Sequence, residues 1–148
     1  GCVLIDGDIT SFDSSWLVKQ VEMIRAGYDY IIPTYARNFQ EGNTTNHFAY
    51  PLLGAHFSGK APRQPISGDF GMSVQFARYM MDQDWHRHSY GYGIDIFLTL
   101  HALYSGQKVA EILLGKKSIS QVLVRWFLCF VRLLRHVTKQ PDISQVLS

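Results

Sequence analysis

These 148 residues predict an α/β fold, a sheet with covering helices, on three observations. Short apolar runs alternate along the chain with stretches of helical period, the pattern of strands and helices laid down in turn. Apolar residues make up 47% of the chain and charged residues 18%, with nine Phe, eight Tyr and three Trp, a balance that supports one buried core and excludes a disordered tail. No internal repeat or low-complexity tract breaks the alternation.

Residues 1–5 (GCVLI) form a short, partly β-branched apolar run and predict a buried strand whose carboxyl end carries Asp6-Gly7-Asp8. Asp13, Ser14 and Ser15 are capping residues, Trp16, Leu17, Val21 and Ile24 recur at helical spacing, and Gly27 can close the turn, which predicts a helix over 14–26. YDYIIPTYA predicts a strand near 28–35, with Pro33 marking an edge or the strand's end. The polar segment 37–46 reads as a loop, after which Thr44 or Thr45 caps a helix over 46–57. ISGDFGMS reads as a small-residue strand or turn, followed by a helix over 73–83. GIDIFLTLHALYSG predicts a helix over 94–105, apolar almost all round and therefore buried, stopping at Gly106. KVAEILL predicts a short strand, and 120–136 a long C-terminal helix with a basic edge.

The balance of 14 Lys and Arg against 12 Asp and Glu leaves a charge of only +2, which argues against a nucleic-acid partner. Cys2 and Cys129 sit in apolar runs and read as reduced core thiols of a cytoplasmic protein. There is no signal-peptide pattern and no uncharged apolar stretch of about 18 residues. Beginning at Gly1 directly in a strand pattern, the chain reads as the later part of a larger protein.

Three short motifs can carry chemistry. Asp6 and Asp8 fall on one face of an extended chain with Gly7 between them, so two carboxylates can offer oxygen ligands to Mg²⁺ or Mn²⁺ and leave room for phosphate oxygens. The same triplet is also the composition of a solvated turn. Gln64-Pro65-Ile66-Ser67-Gly68-Asp69 places glycine where a ligand or backbone can approach closely, or simply makes a strand-to-helix turn. Tyr90-Gly91-Tyr92-Gly93-Ile94-Asp95 puts Asp95 in the first turn of a buried helix, where the helix dipole also favours a carboxylate for purely structural reasons.

Taken in order, DGD, RNFQEGNTTN, QPISGDFGMS and GYGIDIFLTL resemble the retaining GT-A glycosyltransferases that make glucosylglycerate, mannosylglycerate and glucosyl-3-phosphoglycerate, enzymes of compatible-solute synthesis. The resemblance covers about residues 1–117. It implies the acceptor-side part of a Rossmann-like GT-A fold over 1–118, an absent N-terminal nucleotide-binding half, and a divergent helical tail over 119–148. It further implies a hexosyltransferase moving glucose or mannose, with retention, from UDP-glucose, GDP-glucose or GDP-mannose to a small hydroxy acid such as D-glycerate. Metal would be held by Asp6 and chiefly Asp8; Gln64, Ser67, Gly68, Asp69 and Tyr92 would meet the donor sugar. Gly42 and Thr45 would meet the acceptor carboxylate, and Asp95 would lie beside the reacting centre. A homodimer is compatible with the pattern.

Two departures stand out. Asn43 follows Gly42 where phosphoglycerate-using members carry an arginine, and an amide does not replace an always-charged planar fork, so an unphosphorylated acceptor is expected, with Arg37 nearby as a counterweight. Leu114-Gly115-Lys116-Lys117-Ser118-Ile119 matches a segment that ends in a metal-binding histidine, here replaced by Ile119. Binding through the two carboxylates alone should be weaker, and an inactive fragment serving as an interaction module is the alternative expectation. His86 and His88 read as loop histidines, and His47, His56 and His101 as packing or surface residues.

Overall fold

A computed structural model of the chain describes residues 1–37 and 41–118, with the side chain of Tyr92 outside the description. The predicted tail helix over 120–136, Ile119 and Cys129 lie outside the described residues. Strands β1 (Cys2–Leu4), β2 (Tyr30–Ala36), β3 (Phe70–Met72) and β4 (Val109–Lys116) form one mixed sheet in the order β1-β3-β2-β4. β3 is antiparallel to both β1 and β2, pairing Leu4 with Phe70 and Ile31 with Gly71, whereas β2 and β4 run parallel from Tyr30–Val109 to Ala36–Lys116.

Strand alternation distributes the side chains to two faces. Tyr30, Ile32, Phe70 and Met72 join the main core with Phe76 and Met80 of α3 (Val74–Met81) and Ile96, Phe97 and Leu100 of α4 (Ile94–Tyr104). On the opposite face Trp16 of α1 (Ser15–Arg25) packs with Tyr35 and Leu114. Gly71 faces α1 because a Cβ there would come within 3.1 Å of the Gln20 Oε1 atom. The prediction of a sheet with covering helices is borne out.

Local chemistry accounts for the element ends. Asp13 Oδ1 accepts the Ser15 N–H at 2.7 Å, and Gly27 takes φ +92 after the last turn of α1. Ser73 caps α3 by accepting the Phe76 N–H, and Gly106 at φ +68 follows α4. The segment after the 37–46 loop begins with a π-helical turn, Thr45–Ala49, before α2 (Tyr50–Phe57). α4 is buried almost all round, as its composition predicts.

Of the two readings of Pro33, an edge or the strand's end, the structure shows the first: Pro33 lies inside β2, but β3 pairs with Tyr30 and Ile31 only, so Pro33 has a strand neighbour on one side and its missing N–H is tolerated. One expectation is corrected. Cys2 is exposed on β1, not a core thiol, because β1 is an edge strand whose pattern leaves Cys2 and Leu4 outside.

Candidate active site

The sheet topology decides where chemistry gathers. β1, β2 and β4 run in one direction and β3 in the other, so the carboxyl ends of the first three strands and the start of β3 share one edge. Asp6, Tyr35, Lys117 and Asp69 occupy those four positions. Ligands of open α/β sheets bind at the carboxyl ends of strands.

Asp69 is the buried hub. One oxygen, Oδ1, accepts the Asp6 N–H at 2.8 Å; the other, Oδ2, accepts the Tyr35 hydroxyl and the Lys117 ammonium, each at 2.7 Å. Its exposure is 0%, so it reaches a ligand only through the groups it holds. Lys117 Nζ also donates to the Ser67 carbonyl at 2.7 Å and to Asp6 Oδ2 at 3.0 Å, and it lies 5.2 Å from the centre of the Tyr35 ring. Asp6 differs from its partners in that its side chain is 42% exposed. The Asp6 carboxylate rests on Gly68, where φ is +84 and a methyl group would overlap it.

Asp95, at the start of α4, is 5% exposed. It accepts a hydrogen bond from the Gly68 backbone, and its carboxyl is pushed up to about 7, chiefly by burial and then by the charges of Asp6 and Asp69, with Lys117 opposing. Two carboxylates, Asp6 and Asp69, therefore share one buried ammonium, whose charge also acts on Asp95. Burial and the bond to Asp69 raise the Tyr35 phenol well above its ordinary range, keeping it a donor.

Gln64 does not face this cluster as a free amide. Its Oε1 accepts the Tyr35 N–H at 3.1 Å and its Nε2 donates to the Tyr35 carbonyl at 2.8 Å. The side chain thus stands in for a strand beyond the point where β3 stops pairing with β2. Ser67 is buried, its hydroxyl donating to the Asp69 carbonyl. Gln64, Ser67 and Asp69, expected to meet the donor sugar, build the support on which Asp6 lies. Tyr90 is exposed beside Trp85, with ring centres 6.0 Å apart.

The loop containing Gly42 adjoins the cluster through Arg37. Gly42 has φ +75, a Cβ on it would meet Arg37 Cδ at 3.2 Å and Asn46 Nδ2 at 3.6 Å, and Thr45 is buried where the helical turn begins. Arg37 Nε is buried with no hydrogen-bond partner among the described residues. Burial lowers the guanidinium's pKa, opposed by the nearby charges of Glu41, Tyr35, Asp69 and Asp6.

Asp8 lies in the turn after Gly7, half-buried, and a Cβ at Gly7 would meet nothing within 4 Å, so the turn is open on that side. Asp6 Oδ2 is taken by Lys117, leaving Oδ1 and the Asp8 carboxylate as oxygen donors. Hard oxygen donors beside surplus negative charge suit Mg²⁺ or Mn²⁺, which keep water or phosphate oxygens as their remaining ligands. Among the described residues no cluster of three or more His, Cys, Asp and Glu could hold a metal by itself. His86 and His88 are half-buried with ring centres 4.8 Å apart, and His101 is buried against Phe97 and Tyr79.

Lys117 and Tyr35 were not among the site residues expected from the sequence. The only signal for Lys117 was its place in the Leu114–Ile119 segment; Tyr35 gave none, since its role depends on where β2 ends.

The fold is that of the GT-A glycosyltransferases, over about half the length of those proteins. No family model matches the chain. Among curated proteins it is similar to the mannosylglycerate synthase of Rhodothermus marinus, 24% identical over 153 residues that cover 95% of this chain and 38% of that one. Among solved structures, the glucosyl-3-phosphoglycerate synthase of Mycobacterium tuberculosis in complex with Mn²⁺, UDP and phosphoglyceric acid matches with a TM-score of 0.74 and 20% identity, covering 95% of this chain and 49% of that one. The same enzyme with Mg²⁺ and UDP matches with a TM-score of 0.75 and 21% identity. The resemblance to glycosyltransferases of this type is borne out. Among the described residues no helix is long and apolar enough to cross a membrane.

Proposed function

We propose that the gene product containing this chain is a retaining hexosyltransferase that moves glucose or mannose from a sugar nucleotide to a small hydroxy acid such as D-glycerate. Residues 1–118 supply its acceptor side. The observation that carries the reading is the convergence of Asp6, Asp69 and Asp95 around Lys117 at one sheet edge, directly before the open Asp8 turn. Asp8 and Asp6 Oδ1 would hold Mg²⁺ or Mn²⁺, which when bound neutralises charge on a departing diphosphate. Asp95, buried and poised near neutrality, orients the acceptor hydroxyl. In front-face transfer the bond from the sugar carbon to the diphosphate breaks, the bond to the acceptor oxygen forms on the same face, and the hydroxyl proton leaves with the phosphate oxygen. Gly42, Thr45 and Arg37 receive the acceptor's carboxylate, and Asn43 beside them favours an unphosphorylated acid.

The test is direct. The full-length gene product is incubated with UDP-glucose, GDP-glucose or GDP-mannose, D-glycerate and Mn²⁺, and the glycoside is sought by mass spectrometry. Product that is lost with EDTA and in Asp8→Asn is the expected result. A folded protein inert towards every donor and towards phosphoglycerate as well would favour the inactive interaction module, to which Ile119 at the histidine position points.

A further inference from the structure

Two nitrogen donors meet on one side of Gly42. A Cβ built there would lie 3.5 Å from Arg37 Nη1 and 3.6 Å from Asn46 Nδ2, so both nitrogens border the same small volume beside a residue with no side chain to fill it. Gly42 holds φ +75, which glycine adopts without strain, and the Asn46 N–H donates to the Gly42 carbonyl at 2.8 Å. The loop thus closes in a single turn that fixes Asn46 beside Gly42. A guanidinium offers only donors and an amide NH₂ is a donor as well, so neither nitrogen serves the other. Glu41 supplies the largest opposing charge for Arg37, yet Arg37 Nε stays buried and unpaired among the described residues. Asn46 itself is exposed. Donors arranged in this way call for oxygen acceptors brought by a ligand.

We infer that Asn46 is a specificity-determining residue that reads the second hydroxyl of the acceptor, so that a 2,3-dihydroxy acid is preferred over a monohydroxy acid of the same shape. This rests on the hydroxy-acid reading of the site. It follows from allocating the polar groups of a three-carbon acid. The carboxylate takes charge-assisted bonds from Arg37 and a bond from the buried Thr45, and the reacting hydroxyl goes to Asp95. One polar group remains, the hydroxyl on the third carbon, and its oxygen accepts from the Asn46 amide beside Arg37. A site built to hydrogen-bond a substrate hydroxyl discriminates against the analogue that lacks it, because the site's own donor is then left without its partner. Since Asn46 is exposed and water can replace that partner, the discrimination is that of one ordinary neutral hydrogen bond, about threefold to tenfold in affinity.

The experiment compares D-glycerate with D-lactate, which keeps the carboxylate, the reacting hydroxyl and the handedness but carries a methyl group in place of the third-carbon hydroxymethyl. Affinities for the full-length gene product with UDP and Mg²⁺ are read by ligand-observed nuclear magnetic resonance, with no turnover required. The unaltered protein should bind D-glycerate about threefold to tenfold tighter than D-lactate. Asn46→Ala should abolish that preference by weakening D-glycerate alone, with D-lactate changed less than about twofold. Arg37→Gln, which removes the shared carboxylate contact, should weaken both. Asn46→Asp separates the donor role from its alternative: a carboxylate has no N–H to give and loses the preference, whereas if the Asn46 side chain served only to hold Arg37 through its oxygen, Asp would hold it more firmly and the preference would survive. Circular dichroism checks that each variant is folded. If both acids bind but equally, or if Asn46→Ala weakens them alike or not at all, or if Asn46→Asp keeps the preference, the inference fails while the hydroxy-acid reading stands. If neither acid binds the folded protein, both fail.

Discussion

Asp95 and Tyr35 show how single side chains in this cluster tie stability to chemistry. Asp95 begins at the ordinary carboxyl value of 3.8 in the unfolded chain and is pushed up to about 7 in the folded one. Between those values the folded state binds more protons than the unfolded state, so its contribution to stability is fully present below 3.8 and declines as pH rises towards 7. The difference between the unaltered protein and Asp95→Asn should thus change with pH, the variant gaining relative stability by up to about 4 kcal/mol between acid and neutral pH. Urea unfolding of both at several pH values measures it; parallel curves would refute the assignment. Tyr35→Phe leaves the ring against Trp16 but removes one donor to a fully buried carboxylate. A hydrogen bond to a charged group is worth about 1.5–3 kcal/mol, and the same urea series should read a loss of that size.

At the scale of the elements, the QPISGDFGMS segment acts as a brace. Its Gln64 completes the open side of β2 and its Gly68 seats Asp6. Gln64→Ala leaves the Tyr35 N–H and carbonyl without their partner, at a cost of about 1–3 kcal/mol, and should selectively speed hydrogen exchange at the Tyr35 amide while the Tyr30 and Ile31 amides, held in the sheet, stay protected. Gly68→Ala combines positive φ with overlap against the Asp6 carboxylate. It should therefore cost more stability than Gly59→Ala, where φ is +85 but a Cβ meets nothing. The comparison of their urea midpoints isolates the Asp6 contact. The element boundaries themselves were legible because they rest on local chemistry, with Asp13, Ser73, Gly27 and Gly106 each acting within a few residues of its helix end. The direction of the Gln64, Ser67 and Asp69 side chains was not legible. Residue type announces hydrogen-bonding capacity, but whether it turns to a ligand or to Tyr35 depends on where a strand far away in sequence stops pairing. Lys117 stayed hidden for the same reason, since its partners lie 48 to 111 residues away.

For the whole molecule, the relatives and the surface point the same way. The chain spans about half or less of the length of the proteins it matches. β1 has a strand neighbour on one side only among the described residues, and Leu4, Phe12, Leu17, Val18 and Val21 are exposed on it and on the nearby α1 segment. An edge strand presenting apolar side chains is a surface that folded proteins normally cover. If the nucleotide-binding half of the proposed enzyme covers it, Cys2 becomes the reporter, because its thiol is exposed in this chain and lies on that edge. Alkylation followed by peptide mapping should label Cys2 quickly in residues 1–148 alone and slowly in the full-length gene product. Equal labelling would place the remainder of the protein elsewhere and would leave the β1 edge free. Protection of Cys2 together with metal-dependent product from the full-length protein would tie the covered edge to an assembled active site, since β1, the strand that leads into Asp6, would then be interior to the complete sheet.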